Sequence, residues 1–121
     1  MEPTLVEIRL RRKSRILLVE FDDGSRFELP FEYLRVHSPS AEVKGHGGPG
    51  QERLQTGKEG VQVVRIEPVG RYAVRLVFDD GHDTGLYTFK YLYELGRDRA
   101  RNWQAYLDRL SAAGYARDDK N

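Results

Sequence analysis

Phe21-Asp22-Asp23-Gly24, followed by Phe31-Glu32-Tyr33-Leu34, returns later in the chain as Phe78-Asp79-Asp80-Gly81 followed by Phe89-Lys90-Tyr91-Leu92. The offset is 57 residues at the turns, Phe21 to Phe78, and 58 at the helices, Phe31 to Phe89. Asp-Gly between apolar runs is a tight-turn signal, because glycine takes positive φ at little cost. Ile16 to Phe21 and Ser25 to Leu29 read as the strands around the first turn. Tyr72 to Phe78 and Gly85 to Thr88 read as those around the second. A short helix follows each hairpin, Phe31 to Val36 with Pro30 suited to its first position, and Phe89 to Leu95 with Gly96 placed to cap it. The repeat predicts two pseudo-symmetric halves around one sheet, since two units are too few for a solenoid. It also assigns the Asp22/Asp23 and Asp79/Asp80 pairs to turn geometry. Side chains there are expected in solvent with ordinary carboxyl pKa values, as for Asp118/Asp119, not as acid–base pairs.

Outward from the repeat, Leu5 to Leu10 alternates as a half-buried strand and Arg12 to Ser14 reads as a turn. Ser38-Pro39-Ser40 reads as a helix start or a tight corner. Lys44 to Gly60 carries six glycines and reads as a long loop, of the kind that is often functional. Val61 to Glu67 is a strand expected to end at Pro68-Val69-Gly70. Trp103, Tyr106, Leu107 and Leu110 form the apolar stripe of a C-terminal amphipathic helix that Gly114 ends. The fold class is α+β, with a mostly antiparallel sheet in two hairpin-plus-short-helix halves and that last helix. Residues 3–96 are the expected domain, 97–114 the helix and 115–121 a flexible tail. The expected core is Ile8, Leu10, Leu18, Phe21, Leu34, Val64, Ile66, Val74, Leu76, Phe78, Tyr91, Leu92, Leu95, Trp103 and Leu107.

The 121 residues suit one domain, with 39% hydrophobic and 32% charged residues in a globular mix. With no cysteine, disulfides, thiolate metal sites and cysteine nucleophiles are excluded. No apolar stretch is long enough for a membrane helix, and Met1-Glu2-Pro3-Thr4 does not resemble a signal peptide, so a cytoplasmic address and no membrane partner are expected. A net charge of +1 gives no general pull toward nucleic acid. The run Arg9, Arg11, Arg12, Lys13, Arg15 has no interleaved aromatics and reads as a solvated strand face.

Catalytic patterns are missing. No Gly-x-Ser-x-Gly elbow accompanies His37, His46 or His82. Gly57-Lys58 is no phosphate loop, because Glu52 occupies the required glycine, Glu59 replaces Ser or Thr, and a strand follows. Gly45-His46-Gly47-Gly48-Pro49-Gly50 lacks the strand and helix of a dinucleotide fingerprint. The chain is therefore expected not to be an enzyme and to carry no cofactor. The one metal reading is that His37, His46 and His82, with Glu42 and Asp83, converge on zinc or iron; otherwise His82 hydrogen-bonds the neighbouring loop.

Several ordered motifs carry a family resemblance: Leu34-Arg35-Val36-His37-Ser38-Pro39-Ser40-Ala41-Glu42-Val43, Gly45-His46-Gly47, Gly50-Gln51, Thr56-Gly57-Lys58, Ile66-Glu67-Pro68-Val69-Gly70, Phe78-Asp79-Asp80-Gly81-His82-Asp83-Thr84-Gly85-Leu86-Tyr87 and Tyr91-Leu92-Tyr93-Glu94-Leu95-Gly96. Together they resemble the γ-butyrobetaine hydroxylase-like N-terminal domain family in its stand-alone bacterial form, from about Pro3 to Gly96. The resemblance implies a compact mixed α/β unit that also precedes the oxygenase domain of carnitine-pathway dioxygenases and is attached to some iron–sulfur-carrying P-loop ATPases. It implies that the oxygenase iron site lies in another domain; His82-Asp83-Thr84 has Thr where a second ligand would stand. In the dioxygenases this domain holds zinc through three cysteines and one histidine. Ser38, Ser40 and Val43 match the cysteine positions and His82 the histidine, so three of the four ligands are lost here. A substitute site would draw on His46, His37 or Glu42.

These readings lead to a non-catalytic protein-interaction or adaptor domain, accessory to a larger enzyme or to iron–sulfur metabolism, with an unidentified protein partner and no nucleic acid. Its expected surface holds Gly45, His46, Gly50, Gln51, Lys58 and Asp80. The alternative is a metal- or small-ligand-binding protein built on His82 and nearby loop residues.

Overall fold

A computed structural model of the chain describes residues 2–40, 43 and 53–117. The first half consists of β1 (Leu5–Arg11), β2 (Ile16–Phe21), β3 (Arg26–Pro30) and α1 (Phe31–Val36). The second consists of β4 (Val63–Val69), β5 (Ala73–Phe78), β6 (Leu86–Thr88) and α2 (Phe89–Arg97), and α3 (Arg99–Ala112) follows. Each half forms a three-stranded antiparallel sheet, in the orders β1-β2-β3 and β4-β5-β6. This is the α+β class expected from the repeat, with two sheets in place of the one expected, because among the described residues no strand of the first half pairs with one of the second.

The two halves share one core. Leu17, Val19, Phe21 and Leu29 of the first sheet pack in one cluster with Val63, Val74, Leu76 and Phe78 of the second, and Leu34, Leu92 and Leu95 of the short helices join them. The middle strand β2 buries Leu17, Leu18 and Val19 in succession, so both of its faces are covered.

The correspondence of the halves extends to individual hydrogen bonds. Gly24 and Gly81 take φ of +87° and +88° in the two turns. Asp22 accepts the Thr4 N–H on Oδ1 and returns its own N–H to the Thr4 carbonyl. Asp79 does the same with Gln62. The helices are cross-stitched in the same way. Tyr33 of α1 donates its hydroxyl to the Leu95 carbonyl at the end of α2 (2.7 Å), while Tyr91 of α2 donates to the His37 carbonyl at the end of α1 (2.6 Å).

Four local expectations change. Val64 was placed in the core but is 39% exposed. A bulge between Val63 and Arg65 shifts the register against β5, so Val63 takes the inward position and Val64 is turned out. Pro68 does not end β4, which continues to Val69; β4 is an edge strand, where a missing N–H is tolerated. Pro30 ends β3 opposite Ile16 and precedes the helix, where it had been read as its first residue. Gly96 does not cap α2, because the helix continues through it to Arg97 and Asp98 is the cap. It is there for close approach, since a Cβ at that position would lie 2.2 Å from the Phe27 ring.

The basic run is largely held in internal contacts. Arg9 pairs with Glu7 (2.7 Å) and Arg11 with Glu28 (3.9 Å). Arg12 reaches the carbonyls of Val63 and Val64 at the β4 bulge, and Arg15, at φ +56°, reaches the Glu59 carbonyl. No helix among the described residues is long and apolar enough to cross a membrane.

The Gly96 contact gives a test with opposing terms. Ala is the better helix former by about 1 kcal/mol. A methyl against the root of a packed ring costs about 1–3 kcal/mol. Gly96→Ala should therefore lower stability in urea denaturation; equal or greater stability would show that Phe27 and α2 do not pack as described.

Candidate functional site

The chain direction set by the repeat brings the β5–β6 turn, the end of α1 and the Ser38–Ser40 corner together. Asp80 follows the pattern of its counterpart Asp23: each accepts a backbone N–H two residues on, from His82 (3.1 Å) and Ser25 (2.8 Å). Each is also held by the other half's helix at matching positions, Asp23 by the Tyr93 hydroxyl (2.7 Å) and Asp80 by Arg35 Nε (2.9 Å). Only in the second half does this contact become ionic. Lys58 adds a second cation on the same Asp80 oxygen at 2.6 Å.

The expectation of ordinary pKa values therefore fails at both second aspartates, and that of a solvent-facing side chain fails at Asp80. Burial works against the Asp80 carboxylate, but hydrogen bonds from Lys58, the His82 N–H and Arg35 outweigh it and hold its pKa at about 2. Asp23 is lowered too, chiefly by the Tyr93 hydroxyl. Arg35 is itself buried, and its Nη1 makes no hydrogen bond.

Beside this ion cluster lies a layer of neutral contacts. Ser38 Oγ and His82 Nε2, both buried, share a hydrogen bond of 2.8 Å. Ser40 and Thr84 join their hydroxyls at 2.7 Å, and the Ser40 N–H donates to Ser38 Oγ at 3.3 Å. Val43 is buried, and the Arg53 N–H donates to its carbonyl at 2.7 Å. Gly85 allows the approach of the two loops, as a Cβ there would lie 2.6 Å from Ser38 Oγ. Tyr87, wholly buried, donates its hydroxyl to the Leu34 carbonyl, and burial raises its pKa.

Of the positions that the resemblance matches to zinc ligands, Ser38 and His82 hydrogen-bond each other and Ser40 lies beside them on Thr84, but their chemistry does not fit the metal. Serine hydroxyls stay protonated at neutral pH, and valine offers no donor. His82 Nε2 is engaged by Ser38. His37 faces elsewhere, donating Nδ1–H to the Tyr33 carbonyl at 3.0 Å. No group of three or more His, Cys, Asp or Glu able to hold a metal occurs among the described residues. Glu42 and His46 lie outside those residues, as do Gly45, Gly50 and Gln51 of the expected surface. Lys58 and Asp80, the other two members of that surface, bind each other.

The family described as Gamma-butyrobetaine hydroxylase-like, N-terminal, matches residues 8–93. The chain belongs to this family. No curated protein matches it. Two NMR solution structures are similar, one at 52% identity and TM-score 0.81 over 96% of this chain and 86% of the other. The second shows 45% identity and TM-score 0.83 over 100% and 94%. A crystal structure of a protein of unknown function in the DUF971 family from Acidithiobacillus ferrooxidans is 43% identical at TM-score 0.64, over 76% and 91%.

Sequence reading identified Ser38, Ser40, Val43, His82, Lys58 and Asp80 as site residues but missed Arg35, Thr84 and Tyr87. Arg35 was within reach, because the helix offset of the repeat pairs it with Tyr93.

Two measurements check this site. The Asp80 pKa is lower folded than its ordinary value of 3.8, so its contribution to stability is present above about pH 4 and is lost as pH falls toward 2. Allowing for the water that still reaches it, this is about 1 kcal/mol. Asp80→Asn should remove that part of the acid dependence of unfolding, and an unchanged acid limb would refute the ion cluster. Secondly, Ser38, Ser40 and Val43 changed together to Cys should create a site taking roughly one zinc per chain. Adding His82→Ala should weaken it sharply; no zinc uptake by the folded triple variant would show that the four positions do not converge.

Proposed function

We propose that this chain is a non-catalytic, cytoplasmic protein-interaction module that docks on a larger partner through residues 44–52 and the base beneath them. The observation that carries the reading is the hydrogen bond from the Arg53 N–H to the Val43 carbonyl at 2.7 Å. It joins the two ends of the glycine-rich segment Lys44-Gly45-His46-Gly47-Gly48-Pro49-Gly50-Gln51-Glu52. A segment that leaves and re-enters a rigid scaffold at one point is a common vehicle for recognition.

The scaffold on both sides of that point is heavily fastened. Ser38–His82 and Ser40–Thr84 secure the approach, and Lys58–Asp80–Arg35 secures the return. Gly45, His46, Gly50 and Gln51 would then supply contacts to the partner, together with Lys58 and Asp80. Family resemblance to domains attached to larger enzymes favours a protein as the partner, and an accessory role in iron–sulfur metabolism is compatible with a domain that has no thiolate of its own.

The test is to replace residues 45–50 with two glycines. Because the ends are already joined at Val43 and Arg53, Tm should move by no more than about 2 °C. A stoichiometric partner recovered with the unsubstituted chain under native conditions should be lost with the variant. Equal recovery would refute the surface, and no partner across several growth conditions would refute the interaction role. Elemental analysis separates the metal alternative: near-stoichiometric zinc or iron that disappears with His82→Ala would favour a site on His82, His46, His37 and Glu42 instead.

A further inference from the structure

Glu32 lies in the first turn of α1, yet its side chain is only 8% exposed. A carboxylate this deeply buried is costly unless a cation and good hydrogen bonds meet it. Arg117 supplies both, with Nε donating to Oε2 at 2.9 Å and Nη2 to Oε1. The same guanidinium stands 5.3 Å from the centre of the Trp103 ring. Trp103 is braced by Tyr33 and Tyr106, with ring centroids at 6.3 and 5.2 Å. A two-point carboxylate and an aromatic face are the features that distinguish a guanidinium from an ammonium ion.

The group that fills this site arrives on a strap. Gly114 takes φ +80° and the Tyr115 N–H returns to the Leu110 carbonyl at 2.9 Å, turning the chain back across α1 after α3 has ended. Within the stretch expected as a flexible tail, Arg117 is fastened to Glu32, and 118–121 are outside the described residues. The strap does not fill its groove. One cleft of about 180 Å³ remains between Pro30, Glu32, Arg99, Trp103 and Arg117. Another of about 160 Å³ lies on the far side of Arg117, bordered by Thr56, Gly57, Glu59 and Tyr106. Arg117 keeps 28% of its side chain exposed, so the pairing can be reached from solvent.

We infer that Glu32 and Trp103 form an arginine-recognition site, filled within the chain by Arg117 and open to the arginine of a partner protein that displaces the strap. The buried carboxylate fixes the charge of the occupant, the fork and ring fix its planar shape, and the clefts leave room for residues flanking a longer ligand. This site is separate from the segment at residues 44–52 and does not depend on its role.

The chain has a single tryptophan, so Trp103 fluorescence reports on the site directly. In Arg117→Ala, titration with N-acetyl-arginine amide should give a saturable change in Trp103 emission. The unsubstituted chain should require about tenfold more probe or above, because the tethered Arg117 competes at high effective concentration. N-acetyl-lysine amide should bind several-fold more weakly. Adding Glu32→Gln to Arg117→Ala should abolish the response. No saturable response in Arg117→Ala, or an undiminished one without the Glu32 carboxylate, overturns the proposal. In the unsubstituted chain, a response that depends on protein concentration also overturns it, since Arg117 of a second copy would then be the occupant. If Arg117→Ala does not fold, the Arg117 Nε–H resonance of the unsubstituted chain serves instead. It should move as saturating probe displaces the strap, and a stationary resonance refutes the site.

Discussion

Two tyrosine hydroxyls hold the halves in register, Tyr33 on the Leu95 carbonyl and Tyr91 on the His37 carbonyl. Helix ends leave carbonyls without intrahelical partners, and burying such a group unpaired costs about 1–3 kcal/mol. Here each short helix satisfies an end of the other, so neither α1 nor α2 is fully capped by its own half. A six-residue helix such as α1 is too short to persist on its own. Its place is fixed by what it buries and by these crossed bonds, and the positions of Arg35 and Ser38 depend on it.

The near-symmetry sharpens the meaning of the places where it breaks. In the first half, the second turn aspartate meets a phenol, and a serine stands at Ser25. In the second half, the matching positions carry a guanidinium and His82, with Lys58 added. Two hairpins with the same backbone do not both need a three-group ion cluster to make the turn; the first manages with neutral donors and an exposed carboxylate. The extra charge and the buried histidine are therefore assigned to the junction with the corner after α1, which has no counterpart in the other half.

Much of this was legible in the sequence because repeats are explicit about pairing. The Asp-Gly turns, the antiparallel strands and the helices after each hairpin follow from local rules that glycine and alternating apolar residues state directly, whereas the division into two sheets does not. What escaped were features that depend on a partner distant in the chain. The β4 bulge turns out Val64 without any glycine to mark it, and Arg12, 51 residues before Val63, meets the carbonyls exposed there. Gly96 looked like a cap because caps are the common use of glycine near a helix end, whereas the Phe27 ring decides its role. The meeting of Ser38 and Ser40 with the second hairpin was legible only through family resemblance, since hydroxyls carry no signal of convergence. Arg117 gave none either, because a lone arginine in a polar terminal stretch looks the same whether it is solvated or paired.

Ser38–His82 and Ser40–Thr84 tie the outgoing end of the glycine-rich segment to the second hairpin, each contributing about 1 kcal/mol net. At the return end the packing comes from α3. It falls beyond residue 93, the end of the family match. Tyr106 of this helix donates to the Gln55 carbonyl at 2.6 Å, and Tyr106 and Leu110 enclose Val36 with Leu54 against them. Leu54 and Gln55 are the residues just after Arg53, where the glycine-rich segment returns. The C-terminal helix thus pins the return end from outside while the serines, threonine and buried valine hold the outgoing end from within, so both ends of the glycine-rich segment are fixed by side chains that lie far apart in the sequence.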